Sequence, residues 1–429
     1  MRRLPPGARR TSFEFKPFSR KQKQILTWWM DESPIRDMDG IIADGAIRSG
    51  KTLAMSLSFV LWAMSRFDRQ TFAMCGKTIG AFRRNVLYTL KAMLSSRGYV
   101  VDEVRSENLV IVRHREKENY FYIFGGRDER SQDLIQGITL AGVFFDEVAL
   151  MPESFVNQAT GRCSVEGSKF WFNCNPASTF HWFNRDWIQR CEDKKLIHLH
   201  LTIEDNLSLT DDVRRRYRSL YTGVFFKRFI LGLWVMADGL VYDMFDEDVH
   251  VLKDEDMPRD FERMYVGVDY GIHNPTVFLL VGMLDGKYYA VKEYVWDSVK
   301  RGRQKTDAEY SKDMAEFVKG MSVKGIYVDP SASSLILQMR RDKVLNVLKA
   351  SNDVIPGIQT VSTLFQSEKL FISDKCTNLR RSLSNYMWDP KAAERGVDQV
   401  IKENDHESDA LRYVLHSTRT KKITSMRRQ

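Results

Sequence analysis

The sequence predicts an α/β protein of two domains, and three observations lead to this expectation. Strand-like apolar runs alternate with helical stretches over residues 39–175, which is typical of a largely parallel sheet covered by helices. From residue 263 onward, the pattern instead indicates a three-stranded antiparallel meander with a hairpin turn at LDGK. Between these parts lies an acid-rich stretch with no long periodic pattern. We therefore expect a first domain over residues 1–240, a linker over 241–262 and a second domain over 263–429.

Six runs rich in β-branched and aromatic residues predict the strands of the first domain. They are DGIIADG (39–45), TFAMC (71–75), LVIVR (109–113), YFYIFG (120–125), LAGVFFDE (140–147) and SKFWFNCN (168–175). The clearest helical stretches between them are KTLAMSLSFVLWAMSRF (51–67) and IGAFRRNVLYTLKAML. Because ligands of open α/β sheets bind at the carboxyl ends of the strands, we look for functional residues there.

Composition narrows the class of protein. The chain carries 65 Lys and Arg against 56 Asp and Glu, a net charge of +9, which favours a polyanionic partner but also suits a merely basic enzyme. Its five cysteines are odd in number and form no C-x-x-C pair, which argues against a disulfide framework and a zinc site. The longest apolar runs are too short to span a bilayer, and no apolar signal segment follows the basic N-terminus. We expect a soluble cytoplasmic protein.

The segment GAIRSGKT, residues 45–52, fills every fixed position of the phosphate-loop pattern. A predicted strand precedes it and a predicted helix follows, which is the context that such a loop requires. Gly45 and Gly50 would let the backbone N–H groups turn toward phosphate oxygens. Lys51 would reach the β- and γ-phosphates of ATP, and the Thr52 hydroxyl would hold Mg²⁺.

The strand GVFFDEV predicts the second half of an ATPase site. Asp146 would hold the same Mg²⁺ and Glu147 would orient or deprotonate the attacking water. An acidic pair after a strand is by itself an ordinary solvated loop, so the prediction rests on its pairing with the phosphate loop. Arg48 and Ser49 lie within the loop, where Arg48 would stabilise charge on the γ-phosphate or serve only as a surface cation.

Weaker candidates surround this site. Asn173 and Asn175 follow the next strand, where an amide would sense the γ-phosphate or cap a turn. Upstream, Phe18 would stack on adenine and Gln22 would read its edge. Two arginines in GGRDERSQ are candidates for a finger donated to a neighbouring subunit, Arg127 and Arg130.

Three acidic clusters mark the second domain. Asp269 ends a strand in VGVDYG, Asp329 ends another in GIYVDPSA, and Asp409 lies on a late helix in DHESDALRYVL. Together they would hold two divalent metals about 4 Å apart for phosphodiester cleavage, although a lone strand-end aspartate is more often a turn residue. A helix would present His406 or Asp405 on the same face as Asp409, so the ligand choice there stays open.

Taken together, these motifs resemble the large terminase subunit of tailed bacteriophages, in the group that includes Gram-positive phages and defective prophages. The resemblance runs in order through FKPFSRKQKQILTWW, DGAIRSGKT, GVFFDEV, WFNCNP, FKRFILGLWVMADGLVY, VGVDYG, YVDPSA and HESDALRY. It implies an N-terminal P-loop ATPase domain and a C-terminal nuclease domain of RNase H-like, RuvC-type fold with a mixed sheet. It also implies nucleotide and magnesium ligands at Lys51 and Thr52, and the second ATPase motif at Asp146 and Glu147. The nuclease-metal ligands that it implies are Asp269, Asp329, Asp409 and His406. Many members carry Glu where this chain has Asp329, which bears on the choice between Mg²⁺ and Mn²⁺.

The function implied is that of a DNA-packaging motor in the host cell cytoplasm. ATP hydrolysis would drive double-stranded DNA into a procapsid, and the nuclease would cut concatemeric DNA. The implied partners are the small terminase subunit and the portal protein, on which subunits that are monomeric in solution would form a ring of about five. Contacts to DNA phosphates would come from the tail TRTKKITSMRRQ and from cations of the second domain, including Lys300, Arg301, Arg303 and Lys305. The alternative is that these residues form only a solvated charged surface.

Two alternatives differ in what the second domain does. A helicase-like or repair ATPase with an appended nuclease would unwind a forked duplex, which a packaging motor would not. A degenerate nuclease that only clamps DNA would lack metal-dependent nicking, although the three intact acidic clusters argue against it.

Overall fold

The computed structural model describes residues 13–271 and 274–426, with side chains described as far as residue 419. The chain divides into two compact units. The first comprises Met1–Arg215 and Lys227–Met236, and the second comprises Arg216–Phe226 and Ala237–Gln429. The chain therefore leaves the first unit, returns to it for one short segment and leaves it again.

The strands are β1 Gly40–Gly45, β2 Thr71–Gly76, β3 Val100–Val104, β4 Leu109–His114, β5 Lys117–Gly125, β6 Gly142–Phe145, β7 Lys169–Asn173, β8 Leu196–Leu201, β9 Val251–Leu252, β10 Arg263–Asp269, β11 Thr276–Leu284, β12 Lys287–Trp296, β13 Val323–Val328, β14 Val347–Lys349 and β15 Leu370–Ser373.

The helices are α1 Arg20–Thr27, α2 Lys51–Arg66, α3 Ile79–Phe82, α4 Tyr88–Ser95, α5 Glu153–Gly161, α6 Asp211–Ser219, α7 Gly223–Phe225, α8 Glu247–His250, α9 Asp307–Phe317, α10 Ser333–Arg341, α11 Val354–Gln366, α12 Thr377–Asn385, α13 Pro390–Glu394 and α14 His406–Met426. A π-helical turn, Arg83–Leu87, joins α3 to α4.

The first unit is built on an eight-stranded sheet in the order β3-β4-β5-β2-β6-β7-β1-β8. Five neighbouring pairs are parallel, and only β3-β4 and β4-β5 are antiparallel. Parallel strands are buried on both faces, and β1 and β6 are accordingly buried along their whole length. This is the largely parallel sheet that the sequence predicts.

An aromatic core fixes helix α2 against this sheet. Phe59 and Trp62 of α2 pack against Trp171 of β7 with ring centroids 5.3 and 4.8 Å apart. All three side chains are almost wholly buried, and burial of each large apolar side chain contributes about 1.5–3 kcal/mol. The anchored helix holds the loop that connects β1 to α2 at the carboxyl edge of the sheet.

The second unit contains a seven-stranded mixed sheet in the order β14-β13-β10-β11-β12-β15-β9. Strands β10, β11 and β12 form the predicted antiparallel meander, and the outer strands add in parallel. The segment expected as a linker, 241–262, belongs to this unit and supplies β9, which pairs with β15. The exact extent of the functional domains therefore stays a prediction.

Helix α14 lies directly on β10. A Cβ atom added to Gly267 would stand 2.0 Å from the carbonyl oxygen of Ala410, so only a glycine permits this approach. The contact sets the height of the helix start above the end of β10. In the part of the chain that the structure describes, no helix has both the length and the apolarity to cross a membrane.

Candidate functional site

The phosphate loop joins the end of β1 to the start of α2. Gly45 has φ +121° and Gly50 has φ +84°, values that side-chain-bearing residues rarely adopt. At Gly45 an added Cβ would also lie 1.9 Å from the Leu201 carbonyl oxygen of β8. Arg48 adopts φ +58° at the loop tip, and its carbonyl accepts a hydrogen bond from Asn206 Nδ2 at 2.6 Å. The loop thus has a defined left-handed geometry.

Lys51 is buried inside this loop. Its Nζ donates to the carbonyl oxygens of Gly45 at 3.0 Å and Ala46 at 2.6 Å, and to Asn175 Oδ1 at 3.2 Å. Burial lowers the pKa of the amine to about 8, against the opposing effect of nearby acidic groups. The loop's own oxygens therefore surround the cation at the position where a phosphate is expected.

Asp146, which directly follows β6, contacts the first turn of α2. Its Oδ1 accepts from the Thr52 hydroxyl at 2.9 Å and from Asn173 Nδ2 at 3.0 Å. The Asn173 Oδ1 in turn accepts from the backbone N–H of Glu147 at 3.0 Å. Asn173 therefore holds both acidic residues in place. The sequence had indicated only that an amide at this strand end would sense the γ-phosphate or cap a turn.

Burial changes the proton affinity of both carboxyl groups. It raises the pKa of Asp146, although hydrogen bonds from Asn173 and Thr52 oppose this. It also raises the pKa of Glu147, with a further contribution from the charge of Asp146. A carboxylate with raised proton affinity accepts a proton from water more readily.

A cavity of about 540 Å³ opens above these groups, within the usual size of a small-molecule site. Its wall includes the predicted residues Arg48, Ser49, Gly50, Lys51, Thr52, Asp146, Glu147, Asn173 and Asn175. Residues that the sequence did not single out complete it, among them Asn85, Thr89, Met93 and Asn206. They lie on α4 or its preceding π-helical turn and after β8, and no motif marks them.

The remaining first-domain candidates are absent from the cavity wall. Gln22 is buried and donates from Nε2 to the Ser49 carbonyl at 3.0 Å, so it supports the loop. Phe18 is half-buried and lies near Phe15, with ring centroids 6.1 Å apart. The two proposed finger residues, Arg127 and Arg130, are exposed.

A buried network that sequence reasoning missed lies beneath the loop. Asp44, which precedes Gly45, accepts hydrogen bonds from His198 Nε2 at 2.9 Å, His200 Nδ1 at 3.1 Å and Trp234 Nε1 at 2.7 Å. Burial raises the pKa of Asp44, but these bonds outweigh it and the pKa lies well below its usual range. The partners come from distant segments. The pairing of β1 with β8 brings the two histidines to Asp44, and the short segment Lys227–Met236 brings Trp234.

In the second unit, two predicted aspartates end neighbouring parallel strands. The β10–β13 register pairs Val268 with Val328, so the residues that follow, Asp269 and Asp329, are adjacent at the sheet edge. The backbone N–H of Asp329 donates to the Val268 carbonyl at 3.1 Å, which continues the ladder. Asp269 is buried, which raises the pKa of its carboxyl group.

His406 begins α14 and contacts the first of these aspartates. Its Nδ1 lies 2.8 Å from Asp269 Oδ2. Burial alone would lower the pKa of this imidazole, but the hydrogen bond and charge of Asp269 raise it overall. The structure therefore brings His406 and Asp269 together across the helix–sheet contact.

Asp409 is buried with basic and phenolic partners. It accepts from Lys402 Nζ at 3.0 Å, Tyr386 Oη at 3.2 Å and Arg412 Nε at 3.2 Å. Lys402 also lies 2.9 Å from Asp405 Oδ2, and Asp405 is buried as well. Across residues 13–271 and 274–419, no three His, Cys, Asp or Glu side chains are grouped closely enough to hold a metal ion. Metal binding by these residues therefore stays a prediction.

Tyr413 of α14 contacts one of the acidic residues of this region. Its hydroxyl donates to Asp329 Oδ2 at 2.8 Å. Burial, and then the charges of Asp269, Asp409 and Asp329, raise its pKa far above the ordinary value, so it remains a neutral donor. The sequence offered no signal for this tyrosine, because its role depends on the position of α14 over the sheet.

The four cations that were expected to contact DNA phosphates differ in their surroundings. Lys305 is paired with Asp313 and Arg303 with Glu309, whereas Lys300 and Arg301 line a second cavity. The last residues of the tail, 427–429, and the side chains from residue 420 onward lie outside the described part of the chain.

Comparisons with known proteins agree with this architecture. The family model described as terminase large subunit, T4likevirus-type, N-terminal matches residues 42–249. The terminase large subunit of Escherichia phage T5 is 24% identical over 291 residues, 64% of this chain and 65% of that protein. The chain thus spans just under two thirds of that curated relative's length.

A solved structure extends the match to nearly the whole chain. The large terminase of a thermophilic bacteriophage is 54% identical and covers 93% of this chain and 98% of its own, with a TM-score of 0.89. The same phage protein in complex with ATP-γ-S gives 53% identity and a TM-score of 0.85 over 92% of this chain and 98% of that one. The fold class predicted from the sequence is confirmed. On this identity and coverage, the chain belongs to the family of phage large terminase subunits.

Proposed function

We propose that this chain is a DNA-packaging motor subunit that hydrolyses ATP to move double-stranded DNA into a procapsid and cleaves that DNA in its second unit. The observation that carries the first activity is the contact of Thr52 with Asp146 at 2.9 Å, beside the buried amine of Lys51. A hydroxyl, a carboxylate and a lysine in this arrangement fit Mg²⁺ and a triphosphate. The ADP and ATP-γ-S complexes of the similar thermophilic phage terminase support the same assignment.

In this proposal each residue of the first site has a separate task. Lys51 exchanges its carbonyl partners for the β- and γ-phosphates, and Thr52 and Asp146 hold Mg²⁺, which neutralises phosphate charge when bound. Glu147 orients the attacking water and accepts its proton, while Asn173 fixes the direction of Asp146. Arg48, at the loop tip, stabilises charge on the γ-phosphate.

The second unit supplies the proposed nuclease. The carboxylates of Asp269 and Asp329 are the ligand type that suits Mg²⁺ and Mn²⁺, and His406 and Asp409 would complete the set. Two divalent ions, when bound, would activate water and stabilise the leaving oxygen. Asp409 would exchange its bonds to Lys402 and Arg412 for this role, while Tyr413 would keep Asp329 oriented.

The proposed partners follow from family membership. They are double-stranded DNA, the small terminase subunit and the portal protein, with subunits that are monomeric in solution assembling as a ring of about five on the portal. The proposed location is the host cell cytoplasm. Because a moving motor cannot read bases, its DNA contacts should fall on phosphates and weaken with salt.

A second candidate for the second unit is a DNA clamp without cleavage activity. Two observations favour it. The described residues contain no ready-made group of three metal ligands, and Asp409 is bonded to two cations. Nicking of plasmid DNA in the presence of Mn²⁺, and its loss on removal of the metal with EDTA, would exclude the clamp.

The ATPase assignment predicts how removal of one hydroxyl group changes the rate of ATP hydrolysis. Thr52→Val removes the group that contacts Asp146 but keeps the shape of the side chain, so ATP hydrolysis should fall about 100-fold or more. Thr27→Val, at the exposed end of α1, removes a hydroxyl bonded to the Lys23 carbonyl and should leave the rate unchanged. The readouts are ATP turnover and ATP-driven DNA packaging; a Thr52→Val protein that turns over ATP like wild type would contradict the assignment.

A further inference from the structure

A cavity of about 420 Å³ in the second unit lies beside the proposed nuclease site. His406 forms part of its wall and also bonds Asp269 through Nδ1 at 2.8 Å. Any molecule in the cavity is therefore next to the first acidic residue of the site. The wall also contains three cationic side chains, of Lys300, Arg301 and Arg381.

Arg301 is held in place without an acidic partner. Its guanidinium lies over the Trp296 ring, 4.7 Å from the centroid, and among the described residues no carboxylate pairs with it. Such a planar cation keeps its N–H groups available while its position is fixed. The neighbouring cations Arg303 and Lys305 differ, because Glu309 and Asp313 already neutralise them.

Arg381 is held by a chain of hydrogen bonds. Its Nη2 donates to Asn378 Oδ1 at 3.1 Å, and Asn378 Nδ2 donates to Glu293 Oε1 at 2.8 Å. Glu293 also accepts the backbone N–H groups of Asn378 and Leu379 at the start of α12. The charge of Glu293 is therefore directed at the helix N-terminus, and within the described chain no carboxylate pairs with Arg381.

The acidic residues of the wall are already engaged or buried. Asp297 accepts from Lys300 Nζ at 3.1 Å and from the backbone N–H groups of Val299 and Lys300. Glu407 is buried, with only 7% of its surface exposed. Of the three cations in the wall, Lys300 pairs with Asp297, whereas the two arginines form no ion pair with a carboxylate among the described residues.

We propose that this cavity binds a phosphodiester adjacent to the one that is cut, with Arg301 and Arg381 as its contacts and Asn378 as the residue that positions Arg381. The inference rests on the proposed cleavage function and gives it a substrate subsite. Guanidinium groups match phosphate oxygens with two parallel hydrogen bonds, and such contacts carry no base preference. The cavity is large enough for a phosphate with its sugar, and the bond from His406 in its wall to Asp269 places the strand beside the cleavage site.

The test is DNA binding by the full chain in EDTA, so that cleavage does not interfere. Fluorescence anisotropy of a labelled duplex is measured over a range of salt for wild type, Arg301→Gln/Arg381→Gln and the control Arg341→Gln/Arg395→Gln. The control removes the same charge from exposed arginines that do not line the cavity. The cavity variant should bind at least about tenfold more weakly, and its slope of log affinity against log salt should fall by about 0.9 for each lost phosphate contact.

A second variant tests the positioning of Arg381. Asn378→Ala keeps both arginines, so it should raise KM for plasmid cleavage in Mn²⁺ with little change in kcat, because binding and not chemistry is affected. Equal DNA affinity and salt slope in the cavity variant and the control would overturn the proposal. If the cavity variant loses affinity but the wild type cuts no DNA with metal present, the phosphate site stands and the proposed nuclease activity fails.

Discussion

At the residue scale, Asp44 connects the phosphate loop to β8 and to the short returning segment of the first unit. Its carboxylate is 1% exposed and accepts bonds from two histidines and Trp234. An unpaired carboxylate so deeply buried would be costly, so the histidines and the indole are what permit it there. The network therefore stabilises the backbone on which Gly45 and Lys51 depend.

This network predicts a pH-dependent part of stability. The hydrogen bond that His200 donates to Asp44 raises the pKa of His200, against the opposing effects of burial and of Lys21. A folded-state pKa above the unfolded value of about 6.5 means that protonation favours the folded state. The contribution is fully present below pH of about 6.5 and is lost as pH rises through the folded-state pKa. It should be modest, because the side chain is 38% exposed.

The measurement is the free energy of unfolding of the first unit by urea between about pH 6 and about pH 8.5, for wild type and His200→Gln. We expect the difference between the two proteins to shrink as pH rises across this range. His114→Gln serves as control, since His114 stacks on Tyr99 and has no carboxylate partner among the described side chains. A difference that stays constant with pH would show that the Asp44–His200 bond does not titrate as inferred.

At the element scale, the closeness of α14 to β10 determines which residues of the second site meet. The helix carries His406 and Asp409, whereas the sheet carries Asp269 and Asp329. Because Gly267 has no side chain, the carbonyl of Ala410 can approach the strand closely, and any larger residue would prevent this approach. In the proposed nuclease, the sheet edge and the start of the helix would form one site only at this separation.

Gly267→Ala should therefore separate the helix from the sheet. We expect a loss of about 1–3 kcal/mol in the stability of the second unit and a fall in Mn²⁺-dependent DNA nicking, with ATP hydrolysis retained. Gly325→Ala on β13 is the matched control, because its Cβ would meet the edge of the Tyr327 ring at 3.1 Å and no backbone atom as close. Equal stability and equal nicking in the two variants would show that this contact does not position the site.

Local sequence patterns were sufficient to predict the main helices and strands and part of the first site. The strand, glycine loop and helix around Lys51, and the strand that leads to Asp146, each follow from a continuous run of sequence. Contacts between segments that are distant in the sequence could not be predicted in this way. The bonds of Asp44 depend on which strand lies beside β1, and those of Asp409 depend on loops and helices that no motif connects to it. Strand order and helix placement decide these contacts, and neither is encoded locally.

At the scale of the whole molecule, one chain contains two chemically different sites in separate compact units. In the proposed function, the first site would bind a triphosphate through a lysine and backbone N–H groups, and the second would bind divalent ions through carboxylates and an imidazole. The net charge of +9 suits a polyanion that both units would handle. The central claim is that these sites act on ATP and on DNA independently in their chemistry.

The most direct test compares Lys51→Ala and Asp269→Asn, each verified as folded by its urea unfolding curve, in parallel assays of ATP hydrolysis and Mn²⁺-dependent plasmid cleavage. The account predicts opposite losses: Lys51→Ala loses ATP hydrolysis and still cuts DNA, while Asp269→Asn loses cleavage and still hydrolyses ATP. Loss of cleavage in folded Lys51→Ala, or unchanged cleavage in Asp269→Asn, would contradict it.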